Sequence, residues 1–190
     1  MRKKYGAYEQ SHLYTIASDT LAASTVSRYL ADRGMPAVVL DTPSAGVALL
    51  SSQDAVVFLG PGTGAQLPDA MNRLGYVFKR IEAGANSGFV DRHDAKVEYP
   101  VISQSPSRST SHGLIALLPG KSPGATLLVV ASSFNPALAS VLTLGPELEI
   151  LSRFVARKNT GKYFEVMIRY ERNGDKVLDA RPVAARKSEF

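Results

Sequence analysis

Apolar runs of strand length alternate with segments of helical spacing through most of the chain, and the runs stop repeatedly at small polar residues or glycines. His12 to Ala17 reads as a strand, and Ser18 or Asp19 is a good N-cap for the segment behind it. There Ala22, Val26, Tyr29 and Leu30 fall at helical spacing, and Gly34 followed by Pro36 stops the helix. Ala37-Val38-Val39-Leu40 is the continuous apolar run expected of a strand covered on both faces, so these pieces predict a βαβ unit. Asp41-Thr42-Pro43 leaves that strand, Ala45 to Leu50 predicts a short helix, and Ala55 to Leu59 predicts another buried strand. Pro68 opens a further helix with Leu67, Met71 and Leu74 on one face, closed by Gly75 before the alternating Tyr76 to Ile81.

From Gly84 to His112 the pattern weakens into glycine, serine and Asp91-Arg92-His93-Asp94, with one strand expected from Lys96 to Ile102. The polar stretch Ser103 to His112 carries no periodicity and predicts a mobile loop. Leu114 to Leu118 and Ala125 to Ala131 are apolar runs joined by Pro119-Gly120-Lys121-Ser122-Pro123-Gly124, as in a hairpin or a longer turn. Asn135-Pro136 begins a helix, Gly145-Pro146 interrupts it, and Leu148, Leu151, Phe154 and Val155 define a second amphipathic helix ending near Lys158. Tyr163 to Tyr170 and Lys176 to Ala184 then flank Asn173-Gly174, the strongest hairpin signal in the chain.

Early strand and helix alternation followed by a late hairpin predicts a three-layer α/β sandwich. Its sheet is expected to be mostly parallel, as in Rossmann-like and flavodoxin-like folds, with the antiparallel C-terminal hairpin at the edge. The expected organisation is a flexible basic segment over 1–10, a single α/β domain over 11–186 and a tail over 187–190. In such sheets ligands bind beyond the carboxyl ends of the strands, where helix N-termini point N–H groups outward. Three junctions then become the candidate ligand site. Ser18, Asp19 and Thr20 follow the first strand, Gly60, Gly62, Thr63 and Gly64 follow Val56 to Leu59, and Ser132, Ser133 and Asn135 follow Leu128 to Ala131.

Composition narrows the chemistry more than it identifies it. The chain has 190 residues, 45% hydrophobic and 21% charged, which fits one folded domain with a full core. No apolar run approaches the ~20 residues that span a bilayer, and no signal peptide follows the basic start, so no membrane insertion is expected. A free-standing chain would be cytoplasmic, and an upstream anchor in a larger protein would put the domain outside the cytoplasm. The net charge of +5 admits an anionic partner. Much of the excess sits at the ends, however, and the aromatics near the late hairpin alternate as a core face, so nucleic acid is not the expected partner. Without cysteine there is no disulfide, thiolate nucleophile or cysteine-ligated zinc.

The motifs that resemble known chemistry are incomplete. Asp41 follows Ala17-Ser18-Asp19-Thr20 at roughly the distance of a ribose-binding acid, but the dinucleotide glycines are missing. Gly120-Lys121-Ser122 looks like the end of a phosphate-binding loop, yet Ile115 stands where the first glycine belongs and Pro123-Gly124 blocks the required helix. His12, His93 and His112 show no metal-ligand spacing, and no Gly-x-Ser-x-Gly elbow presents a nucleophile. No metal, cofactor or catalytic residue is therefore assigned.

The order of Leu13 to Thr20, Asp54 to Gly60, Asp91-Arg92-His93, Leu128 to Ala131, Arg157-Lys158-Asn159 and Phe164 to Met167 resembles a poorly characterised domain of soil bacteria. That domain often stands at the C-terminal end of proteins with an N-terminal helix-turn-helix or membrane segment. The resemblance covers most of residues 11 to 186 and carries no catalytic residues. It implies a non-catalytic sensory or interaction module that binds a small molecule or another protein domain. Two alternatives stay open. One is a transferase or hydrolase acting on a phosphorylated metabolite, with Asp19 or Asp41 as base, and the other is homo-oligomerisation, for example as a homodimer, through the late hairpin.

Overall fold

The computed structural model describes residues 18–35, 54–60, 72–79, 88–94, 96–105 and 107–188. The expected strands at 12–17 and 37–40, the helices at 45–50 and around Pro68, and Asp41, Gly62, Thr63 and Gly64 lie outside the described residues. The first described element is helix α1, residues 18–31. It ends in a Schellman turn, in which the Gly34 N–H bonds to the Ala31 carbonyl and the Met35 N–H to the Leu30 carbonyl, both at 3.0 Å.

Strands β1 (Ala55–Leu59), β5 (Ile102–Ser103), β6 (Arg108–Pro119), β7 (Thr126–Ser132), β8 (Phe164–Asn173) and β9 (Lys176–Lys187) form one sheet. Its order is β1-β7-β6-β8-β9, with β5 paired to β6 beside that path. A second, three-stranded sheet is antiparallel in the order β2 (Tyr76–Lys79), β3 (Gly88–Asp91), β4 (Glu98–Pro100). Helices α2 (Asn135–Thr143) and α3 (Gly145–Arg157) complete the described elements.

The expected mostly parallel, Rossmann-like or flavodoxin-like sheet is overturned. Among the described strands only β1 and β7 run parallel, with Ala55 opposite Leu127 and Leu59 opposite Ala131. Every other pair in both sheets is antiparallel. The mobile loop expected at Ser103 to His112 is overturned with it. Residues 108–112 are the first half of a twelve-residue strand whose backbone pairs with β8 from Arg108 opposite Asn173 to Leu117 opposite Phe164. Ser109, Thr110 and Ser111 are buried although polar. Their main-chain groups are satisfied by the ladder, and the Ser109 hydroxyl accepts from Arg172 Nε at 3.2 Å. Hydrophobic periodicity is blind to such a segment because burial here follows hydrogen bonding rather than apolarity.

One hairpin joins β6 to β7 across Gly120–Ala125, and another joins β8 to β9. The second turns at Gly174-Asp175, one residue beyond the Asn173-Gly174 centre that the sequence suggests. Gly174 takes φ +57° at the first of the two loop positions, the conformation a type II′ turn requires there. Two register shifts in β9, opposite Met167/Ile168 and Glu171/Arg172, bend this edge strand, and Pro182 removes a donor from it.

Three layers result, but their order is sheet, sheet, helices. On one face of the large sheet, Leu59, Leu114, Leu118, Val129 and Met167 pack against Leu74, Tyr76 and Phe89 of the small-sheet unit. The Phe78 and Phe89 rings meet edge to face at 5.3 Å. On the other face, Ile115, Val130, Val166, Ile168 and Tyr170 pack against Leu138 and Val141 of α2 and Leu151 of α3. Helix α1 joins this layer through Ala22 and Val26, which meet Ala139 of α2 and Phe58 of β1.

Candidate functional site

Because β1 and β7 are parallel neighbours, their carboxyl ends emerge side by side, and the starts of α1 and α2 meet there. Asn135 opens α2 and is fully buried. Its Nδ2 donates to the Asp19 carboxylate at 2.7 Å and to the Leu59 carbonyl at 3.2 Å, and these two acceptors fix the orientation of the amide. Its Oδ1 is buried without a hydrogen-bond partner among the described residues. Burial pushes the Asp19 carboxyl above its ordinary value of 3.8, partly offset by the hydrogen bonds from Asn135 and Ser18.

Beside this pair, the Ser132 hydroxyl accepts the Phe134 N–H at 2.8 Å, in place of a side-chain cap on α2. Both Ser132 and Ser133 lie within hydrogen-bond reach of the Tyr170 hydroxyl, at 3.3 and 3.0 Å. The structure thus brings Asp19, Ser132, Ser133 and Asn135 to one end of the sheet, with Gly60 next to Leu59 and Ser18 against Asp19. Thr20 is exposed on α1. The polar groups of this cluster are turned largely on one another, and the contacts tie α1, β1, β7 and α2 together.

A second constellation, which the sequence reading did not assemble, lies where the two sheets meet. Glu165 of β8 is 1% exposed. Both its oxygens accept the Gly75 N–H at 2.9 Å, and Oε2 also accepts the Tyr76 N–H at 3.3 Å. Burial raises its carboxyl above the ordinary 4.5 despite these bonds and the neighbouring Arg186 charge. Arg186, opposite Glu165 in the β8·β9 ladder, reaches across the seam to the Asp91 carboxylate at 2.5 Å. Its guanidinium lies 3.8 Å from the centre of the Tyr76 ring. Asp91 also accepts the His93 N–H at 2.8 Å. Burial pushes the Asp91 carboxyl up, but the Arg186 and His93 bonds outweigh it and hold the group below 3.8. Two acidic side chains, one from each sheet, therefore staple the sheets to each other.

The two staples respond to pH in opposite senses. Asp91 has a lowered folded pKa, so its contribution is present above pH 3.8 and is lost as pH falls through the folded value. Glu165 has a raised one, so its contribution is full below pH 4.5 and declines as pH rises through the folded value. Stability measured by urea unfolding should accordingly fall below pH 3.8 less steeply in Asp91→Asn than in the unaltered chain. Parallel curves would remove Asp91 from the acid response.

Beside the staples the two sheets enclose a cavity of 480 Å³. Arg73, Arg92 and His93 line it from the small-sheet unit, and Arg186 and Lys187 line it from β9. Glu165 is the one carboxylate among its described lining residues, and Leu74 and Pro119 supply apolar wall. Pro119 pairs with Thr126 at the amino end of β7, so this cavity lies at the opposite end of that strand from the Asp19 and Asn135 cluster. One signal for the seam stood in the sequence. Glu165 interrupts the apolar run Phe164 to Ile168, and a lone charge in a strand buried on both faces needs a partner within reach. The Asp91-Arg92-His93-Asp94 turn held the partner's side of the seam, but nothing local connects residue 91 to residue 186.

Among the described residues, no group of three histidine, cysteine, aspartate or glutamate side chains is placed to hold a metal ion, and no helix is long and apolar enough to cross a membrane. Compared with known proteins, the chain matches no family model, no curated protein and no solved structure.

Proposed function

We propose that this domain is a non-catalytic binding module for a small ligand and that the ligand occupies the cavity between the two sheets. The observation that carries this reading is the cavity itself. Its 480 Å³ falls inside the ~300–1,000 Å³ range of small-molecule sites, and it combines apolar wall with convergent polar groups. It also sits where two structural units meet, a preferred position for such sites. The Asp19 and Asn135 cluster supports the reading less well, because its donors and acceptors, the buried Asn135 Oδ1 excepted, are largely engaged with each other. A catalytic role for Asp19 has the same weakness, since its carboxylate is already bonded to Asn135. The resemblance to the soil-bacterial domain favours an accessory, sensing role over a free-standing enzyme.

A thermal-shift screen of charged and neutral metabolites tests the proposal. A ligand at a hundredfold excess over its Kd adds about 2.7 kcal/mol of stability, which raises Tm by about 5 to 10 °C in a chain of this size. The companion variant is Asn72→Trp, which places an indole at an exposed lining position. The shift should vanish in that variant while the unliganded Tm changes little. A shift that survives Asn72→Trp would move the ligand elsewhere.

A further inference from the structure

We infer that the basic end of the large sheet docks on the phosphate backbone of double-stranded nucleic acid. Along the chain the cations concerned lie in three separate stretches, and the fold gathers them. Helix α3 ends at Arg157, Lys158 is its C-cap, and the loop then runs through Lys162 to β8 at Phe164. Lys187 stands opposite Phe164 in the β8·β9 ladder, and Arg73 lines the seam cavity together with Lys187. All five are exposed, at the end of the sheet where β8 begins and β9 finishes, and none forms an ion pair with another described residue. The Asp54 carboxylate, just before β1, accepts from the Thr126 N–H and hydroxyl at 2.8 Å, and it is held below 3.8 first by those bonds and then by the Lys162 charge. The distribution of charge along the chain, which argued against nucleic acid, is thus not its distribution in space.

The loop that carries two of these lysines has a fixed shape. Asn159 takes φ +49° and Gly161 φ +77°, and Thr160 between them is 2% exposed, so the chain turns inward at 160 while Lys158 and Lys162 stay exposed on either side. Lys158 Nζ lies 5.9 Å from the centre of the Phe154 ring and Lys162 Nζ 5.1 Å from that of Tyr163, which restrains both lysines before a partner arrives. The same contacts cover the rings and leave no stacking platform for the bases of a single strand. A duplex carries one negative charge per ~1.7 Å of its axis, so a face of dispersed cations meets phosphates in any register. An extended acidic peptide carries at most one charge per ~3.4 Å and needs a groove or a strand edge to lie in, whereas this face is made of strand ends and turns. An anionic membrane fits less well too, because among the described residues no exposed large apolar side chain stands within three positions of any of the five cations.

Fluorescence anisotropy of the full chain with a labelled DNA duplex of arbitrary sequence, in a salt series, tests the assignment. Three to five neutralised phosphates give a slope of log K against log salt of about −2.7 to −4.5, so affinity should fall about 40- to 500-fold between about 50 and 200 mM salt. Two duplexes of unrelated sequence should bind alike, since backbone contacts carry no sequence information. The double variant Lys158→Gln with Lys162→Gln, at exposed positions, should bind more weakly at low salt and reduce the slope by about 2. Arg108→Gln with Lys176→Gln removes the same charge from the other end of β6 and β9 and should leave the slope unchanged. No binding at about 50 mM salt with protein at about 100 μM, the weak end of non-specific affinities, would overturn the assignment. An equal loss of slope in the two double variants would overturn it as well, by making the attraction a property of net charge. So would tighter binding, at the same salt, to phosphatidylserine vesicles or to polyglutamate than to the duplex.

Discussion

Glu165→Ala is expected to destabilise the fold by about 3 to 5 kcal/mol, the range for removing one partner from a buried charged network. The side chain is 1% exposed and is the acceptor for two backbone donors, Gly75 just before the small sheet and Tyr76 at its first residue. Without it, the Gly75 and Tyr76 N–H groups stay buried and unbonded, at about 1 to 3 kcal/mol each. Among the described residues, the Arg186 charge would keep Asp91 as its counter-ion across the seam. Urea unfolding at pH 4.5, where the Glu165 contribution is full, reads the loss. Glu165→Gln keeps one carbonyl acceptor for these donors, so it should lie well above the alanine variant in stability. If the two variants unfold at the same midpoint, the hydrogen bonds to Gly75 and Tyr76 do not hold the seam.

Leu138→Ala should cost about 2 to 5 kcal/mol, because a fully buried leucine leaves both its transfer energy and a cavity behind. Its placement makes a sharper test available. At Gly113 of β6, an added Cβ would stand 2.7 Å from Leu138 Cδ1 and 2.7 Å from Ser132 Cβ. Glycine at that strand position is what lets α2 lie close against the sheet. Gly113→Ala alone should therefore destabilise by about 1 to 3 kcal/mol through overpacking. Combined with Leu138→Ala it should cost less than the sum of the two single changes, because the cavity left at 138 receives the new methyl group. Additive costs would mean that the Ser132 contact, or strain in β6 itself, dominates at Gly113.

Local signals accounted for several elements that the structure contains. The helical spacing of Ala22, Val26 and Leu30 marks the face by which α1 meets α2 and β1, and Gly34 marks its end. Asn135-Pro136 and Gly145-Pro146 bracket α2 and open α3. The late hairpin and the apolar runs of β1, β6 and β7 were also legible. So were Asp19, Ser132, Ser133 and Asn135 as junction residues, although what they do at that end of the sheet is chiefly to bond one another.

What the sequence by itself determined were the features set by neighbours along the chain: the periodicity of α1 and α3, the turn chemistry at Gly174, and the apolar runs that become central strands. Tertiary structure alone decided which strands pair and in which direction. It made a strand of the polar segment at 108–112, because the β8 ladder satisfies a backbone that hydrophobic pattern leaves unmarked. It set a second sheet against the large one, where an α/β reading places helices, and so created the seam and its cavity. Glu165 lies 90 positions from Gly75, and Arg186 lies 95 from Asp91. The electrostatic and hydrogen-bond terms that join such pairs act at contact distance in space, which periodicity and spacing along the chain do not encode.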